Sequence, residues 1–176
     1  FVSGLTFEDI PAAVIKRIKL LMLDSIGCGI YGANLPWTNI LKKTLGAIDS
    51  SNDCSLFGSD QKLSAPHAAL VNGTQIQGFE LDDVHRNGVL HVGAVTLPPL
   101  FAIVEGRPDI DGKAFLTAAV AGYEVGPRVG LCMGQEHIGQ GWHSGATLGV
   151  FSAAAGAARV LNLSIDQTVN ALGIAG

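Results

Sequence analysis

The run from Ser152 to Ala158, SAAAGAA, restricts the fold more than any other stretch of the chain. It lies inside an apolar segment, Ser144–Leu161, that reads as a helix, and side chains this small let helix backbones approach closely. Gly112–Met133 repeats the device with Ala118, Ala119, Ala121 and Gly122, and Asp111 in front of it is a natural N-cap. Two such helices predict an all-α helical bundle.

Other segments carry matching start and stop signals. Thr6 is a candidate N-cap with Glu8 and Asp9 in the first turn and Pro11 early. The long helix it opens has a stripe of Ile10, Val14, Ile18 and Leu21, widened by Met22 and continued by Ser25, and should close among Gly27, Gly29 and Gly32. Pro36–Leu45 begins a second helix, and residues 50–60 form a loop around a short extended piece, Cys54–Phe57. Ser64 caps a third helix, Ala65–Gly78, with Pro66 in its first turn. Val92–Glu105 is apolar with Pro98 and Pro99, a helix started or kinked by the prolines. Ser164, followed by Asp166 and Gln167, opens a last helix. With no fixed-period repeat and no linker, residues 1–176 read as one partial helical domain, whose apolar last residues, Ala171–Gly176, read as interrupted.

Composition then narrows the function classes. With 48% hydrophobic residues against 15% charged ones, much of the chain must be buried. A net charge of −4 leaves no basic footprint, which sets nucleic acid and anionic membranes aside as partners. No uncharged apolar span of about 20 residues is present, so no membrane crossing is expected. Cys28, Cys54 and Cys132 are scattered, odd in number and lack CxxC spacing, which argues against a disulfide framework and a structural zinc site. A reducing compartment fits, and the location expected is cytoplasmic, or mitochondrial after removal of a targeting segment.

The chemistry concentrates in Val71–Pro98, where Glu80, Asp82, Asp83, His85, Arg86 and His91 crowd between apolar runs, flanked by Gly78, Gly88 and Gly93. Ionisable groups are costly to bury unless paired or working. The carboxylates could supply a general base or orient a histidine, and like charges close together raise one pKa. The plainer reading is that Asp82 and Asp83 cap the next segment or pair with Arg86. His85 and His91, six apart, cannot share a helical face, and their spacing matches no recognised metal-ligand pattern.

A second unusual stretch is Gly139–Thr147, GQGWHSGAT, with His143 at an apparent helix start. Ser144 and the amides after it could bind a substrate carboxylate, while the helix dipole keeps His143 neutral and ready to act as a base. The plainer reading is a histidine that caps the helix and packs beside Trp142. His67 and His137 read as structural or exposed. Ser144 lacks a GxSxG context, so covalent catalysis has little support. Gly27, Gly29 and Gly32 spell GxGxxG at the close of a helical pattern, so they read as helix-end and packing glycines rather than a nucleotide loop.

The strings LDSIGCGIYG, PHAALVNGTQIQGFELDDVH, LHVGAVTLPPLFA, GKAFLTAAVAGYEVGPRVG, GWHSGATLGVFSAAAGAARVLNL and ALGIAG together resemble the MmgE/PrpD family, which includes 2-methylcitrate dehydratase, cis-aconitate decarboxylase and iminodisuccinate epimerase. ELDDVH and LHVGA, with Pro36–Trp37 upstream, look like the cis-aconitate decarboxylase-like branch. The resemblance implies that this chain is the N-terminal part of a large helical domain, with the rest of that domain, a downstream lysine and a lid domain lying outside it. It also implies a homodimer and chemistry on small polycarboxylates without cofactor or metal. The family's catalytic histidines fall on His91 and His143; Glu80 stands where other members carry Asp, and Asp82 and Asp83 match directly. Val92 stands where many relatives have Pro, and Val84 where they have Thr. On this basis His91, His143, Asp82 and Glu80 are the expected catalytic residues, and Asp83, His85, Gly141 and Ser144 the expected substrate contacts. The expected activity is that of a lyase, a decarboxylase or dehydratase. A dicarboxylate epimerase and an inactive helical dimerisation module are the alternatives, and these 176 residues alone are expected to show little or no turnover.

Overall fold

Helix-start chemistry sets most of the architecture. The computed structural model describes residues 1–134 and 136–176. Two 3₁₀ turns, Val2–Gly4 and Phe7–Asp9, lead into α1 (Ala12–Gly32), α2 (Pro36–Gly46), α3 (Ala65–Gln77), α4 (Val92–Glu105), α5 (Gly112–Met133), the short α6 (Glu136–Gly139), α7 (Ser144–Val160) and α8 (Ile165–Ala175). A minimal antiparallel pair, β1 (Cys54–Ser55) with β2 (Lys62–Leu63), lies between α2 and α3. The all-α expectation holds, and no helix among the described residues is long and apolar enough to cross a membrane.

Local caps account for several of these starts. Asp111 accepts from the Ala114 amide at 2.8 Å, and Ser164 and Gln167 close a reciprocal capping box at the head of α8. Ser64 sits at the head of α3 but does not cap it with its own side chain. Its amide and hydroxyl both donate to Asp49 Oδ2, at 2.9 and 2.6 Å, and His67 Nδ1 lies 2.6 Å from the same oxygen. A carboxylate from beyond the end of α2 therefore holds the start of α3.

The first helix departs from expectation. Thr6 closes a capping box with Asp9 around the turn Phe7–Asp9 only, and α1 begins at Ala12 behind Pro11. Proline lacks an N–H and disfavours helical geometry in the residue before it, and Ile10 is extended at φ −89°, ψ 120°. The buried stripe shifts accordingly: Ile15 and Ile18 pack inward, while Val14 is 37% exposed.

Helix α4 lies at the centre, packed against α1, α3, α5 and α7. It starts at Val92, well ahead of Pro98 and Pro99, so the prolines neither open nor end it. Pro98 leaves the Ala94 carbonyl without its helical donor. Gly73 of α3 meets that carbonyl: a Cβ there would sit 2.9 Å from the oxygen. Leu97, Leu100, Phe115, Ala118, Ala119 and Ile18 form the main core between α1, α4 and α5. The small-residue faces of α5 and α7 do pack on each other, and a buried polar junction joins them to α4. Ser152 Oγ donates to Gly122 O at 2.7 Å and lies 2.7 Å from Thr96 Oγ1.

Candidate active site

The segment between α3 and α4 carries the acidic cluster, and its backbone is bent to do so. Glu80 and Val89 take φ of 59° and 47°, left-handed values that cost a β-branched valine most. His85 and Leu90 form an isolated antiparallel bridge, and His85 Nδ1 accepts from the Gly88 amide at 3.0 Å, closing the turn between them. Gly88 rests directly on Gly130 of α5, where a Cβ would collide with the Gly88 carbonyl. The loop is thus seated on the bundle by a glycine–glycine contact, and it delivers His91 to the head of α4.

His91 stands between two carboxylates. Its Nδ1 is 3.1 Å from Asp82 Oδ1 and its Nε2 is 3.2 Å from Glu80 Oε2. The two acids differ in setting: the Asp82 side chain is fully buried, whereas that of Glu80 is 67% exposed. Burial pushes Asp82 above its usual carboxylate range, and His91 pulls it part of the way back. Asp82 Oδ2 is buried without a hydrogen-bond partner among the described residues, an expense that a purely structural carboxylate rarely carries. With Asp82 accepting from Nδ1–H, Nε2 is the nitrogen that points toward Glu80 and the outside.

Asp83, expected among the substrate contacts, is engaged inside the protein. Its Oδ1 accepts from the Gly93 amide at 3.1 Å and from the Tyr123 hydroxyl at 3.4 Å. Burial, with Asp82 next to it, pushes its carboxyl up to about 6. The plainer reading of the acid pair is therefore half realised: Asp83 caps the next helix, Asp82 serves a histidine, and Arg86 pairs with neither among the described residues. His85 commits Nδ1 to its own turn.

At the head of α7, His143 is the N-cap residue, and its Nδ1 accepts from the Ala146 amide at 3.3 Å. A neutral His143 then carries its proton on Nε2. Gly141 turns the chain into this cap with φ 93°, a conformation that favours glycine, and Ser144 follows as the first, buried residue of α7. His137, left aside by the sequence reading, supports the cap. Its Nε2 is 2.6 Å from Thr147 Oγ1, which donates to the His143 carbonyl at 3.1 Å, and its ring stacks on Trp142. No sequence signal marked it, because its partner lies a turn into the next helix.

Glu80 and His143 face a common groove of about 540 Å³ between α3, α4 and α7. Trp37 of α2 and Gln77 of α3 also line it, together with small residues of α7 such as Gly145 and Gly149. His91 does not line this groove and reaches it through Glu80. No group of three or more His, Cys, Asp or Glu among the described residues is arranged to hold a metal ion.

Residues 1–176, the whole of this chain, match the MmgE/PrpD N-terminal domain. The chain belongs to the MmgE/PrpD family. Among its MmgE/PrpD relatives, a cis-aconitate decarboxylase-like protein of Aspergillus oryzae is 41% identical over 99% of this chain, which covers 38% of that protein. The cis-aconitate decarboxylase of Aspergillus terreus is 36% identical over 98% of the chain and 36% of its own length. The Homo sapiens cis-aconitate decarboxylase is 30% identical over 99% of the chain and 37% of its own length. The chain thus spans little more than a third of the curated relatives it matches. Within the MmgE/PrpD match fall all the residues described above: Glu80, Asp82, Asp83, His91 and His143.

Proposed function

We propose that the whole protein to which this domain belongs is a cofactor-independent lyase for a small di- or tricarboxylate, of the cis-aconitate decarboxylase or 2-methylcitrate dehydratase type. The carrying observation is Glu80, which contacts His91 Nε2 at 3.2 Å and faces the same groove as His143. Two histidines are thereby connected to one cavity, one directly and one through a carboxylate that can pass a proton. Asp82 holds His91 in a single tautomer from the buried side, as the third group of a catalytic relay does.

In a decarboxylation of cis-aconitate, the C–C bond to the carboxylate on the methylene carbon breaks, its electron pair forms a new double bond to the central carbon, and the pair of the old double bond shifts to the far alkene carbon. The far alkene carbon then takes a proton, and CO₂ leaves. His143, with Nε2–H available, or the Glu80–His91–Asp82 relay supplies that proton, and the other holds the charge that builds on the remaining carboxylates. The Ser144 amide at the head of α7 and the Gly141 turn offer a seat for one of them. A homodimer, with the remaining site groups coming from the rest of the chain, belongs to the same proposal.

The test is proton NMR of the full-length protein in deuterated buffer with cis-aconitate, 2-methylcitrate and iminodisuccinate. Product formation from either of the first two supports the lyase, with His91→Ala and His143→Ala each lowering turnover by about 10²–10⁴-fold. Deuterium exchange or inversion of iminodisuccinate alone would make the protein an epimerase. Inertness to all three, in a folded full-length protein, would sink the proposal.

A further inference from the structure

Gly93 is the second residue of α4, and the N-cap residue of that helix, His91, does not cap it: its side chain makes no hydrogen bond to the first turn. An N-cap side chain ordinarily satisfies the amide at this position or the next. Here the acceptor comes from across the loop, as Asp83 Oδ1 takes the Gly93 N–H at 3.1 Å. That same oxygen accepts from the hydroxyl of Tyr123, carried in from α5 at 3.4 Å. The packing around this amide is close. A Cβ on Gly93 would collide with both Asp83 Oδ1 and Ser25 Oγ of α1, and would lie 2.9 Å from Tyr123 Oη.

We propose that Tyr123 and Asp83 form a positioning pair for His91: Asp83 takes over the capping of α4, Tyr123 holds Asp83 from α5, and His91 is left to give its ring to Asp82 and Glu80. The adjacent acids then divide one task, Asp82 gripping the imidazole and Asp83 gripping the backbone two residues beyond it. The inference rests on reading His91 as a reacting group. Burial beside Asp82 and Asp24 pushes Asp83 up to about 6, a cost that the hydrogen bonds from Gly93 and Tyr123 offset in part. Burial and the nearby Asp83 charge push the Tyr123 phenol well above its usual range, so it stays protonated and a donor.

Tyr123→Phe in the full-length protein keeps the ring packing and removes only the donor. We expect kcat on cis-aconitate to fall about 3–10-fold, the worth of one ordinary hydrogen bond, with KM within about twofold. The melting temperature should stay within about 3 °C, and the His91 ring ¹⁵N resonances should move. Asp83→Ala should displace those resonances further, and Asp83→Asn, which still offers an oxygen to the Gly93 amide, should bring them back toward wild type. Unchanged kcat and unmoved resonances in Tyr123→Phe would overturn the proposal. So would a parallel loss of kcat, KM and melting temperature, the mark of packing alone. If the wild-type protein turns over neither cis-aconitate nor 2-methylcitrate, the lyase reading fails, while the resonances of the same variants still decide the positioning of His91.

Discussion

Gly130→Ala and Gly27→Ala make the same chemical change in the interior of two long helices, and the structure predicts opposite outcomes. At Gly27 on α1 an added Cβ meets nothing within 4 Å. Removing the backbone freedom of glycine from a helix stabilises by about 1 kcal/mol, so Gly27→Ala should raise the melting temperature by roughly 2–4 °C. At Gly130 on α5 the new Cβ would lie 2.9 Å from Gly88 Cα and C, and nearer still to the Gly88 oxygen. All of these are backbone atoms, so no rotamer change relieves the overlap, and the loop and helix must part by roughly 1 Å. Overpacking of this kind costs about 3 kcal/mol, and the helix-propensity gain offsets about 1 of it. A net loss of about 2 kcal/mol appears as a fall of roughly 4–8 °C. Because Gly88 belongs to the turn that delivers His91, the full-length Gly130→Ala protein should also lose turnover by about 10–100-fold, as displacements near 1 Å do. The assays are thermal unfolding of both variants and steady-state turnover of Gly130→Ala. Equal stability of the two variants, or wild-type turnover in Gly130→Ala, would refute the claim that the loop is seated by glycine contact.

Three further outcomes follow from polar groups that the fold buries. Asp49 holds the Ser64 amide and hydroxyl and His67, which keeps its carboxyl well below the usual carboxylate value of 3.8. A depressed folded value means that its stabilisation is full above about pH 4 and is lost as pH falls below it. The gap in melting temperature between wild type and Asp49→Asn should therefore narrow from pH 5 to pH 3, and a constant gap would contradict the assignment. Asp83 has the opposite sign: raised from 3.8 to about 6, it binds its proton more tightly when folded, so it withdraws stability as pH rises between those values. Asp83→Asn should gain on wild type from pH 4 to pH 7, by up to about 3 kcal/mol in chemical denaturation, and no pH-dependent gain would count against the burial argument. Ser152→Ala removes the bridge between Thr96 and the Gly122 carbonyl at the α4–α5–α7 junction, and should cost about 1–2 kcal/mol in the same assay. Thr96→Val in that background should then cost little more, since its partner has already gone.

What could be read from the residues divides along one physical line: whether the deciding interaction is local. Asp111 with Ala114 and Ser164 with Gln167 are three residues apart, and both helix starts were legible. Thr6 with Asp9 is equally local and was also seen, but the box closes only a single turn, because Pro11 forbids the continuation that the hydrophobic stripe suggested. That one-element break moved Ile15 inward and Val14 outward, a change of phase that no stripe count reveals once its first residue, Ile10, lies outside the helix. The cluster of Glu80, Asp82 and His91 stood out because it spans one short loop between apolar runs. The division of roles between Asp82 and Asp83 did not, since it depends on which side of the loop meets α5, and that is settled by Gly88 against Gly130 and by Tyr123, 40 residues away. The start of α4 shows the consequence. Its bounds, Val92–Glu105, were legible in the apolar run, and only the reading that Pro98 and Pro99 open it falls; that Asp83 supplies the cap was not legible. The first turn of the central helix is therefore tied to a carboxylate of the preceding loop and, through it, to a hydroxyl of α5, a link that exists only once the three segments are folded against one another.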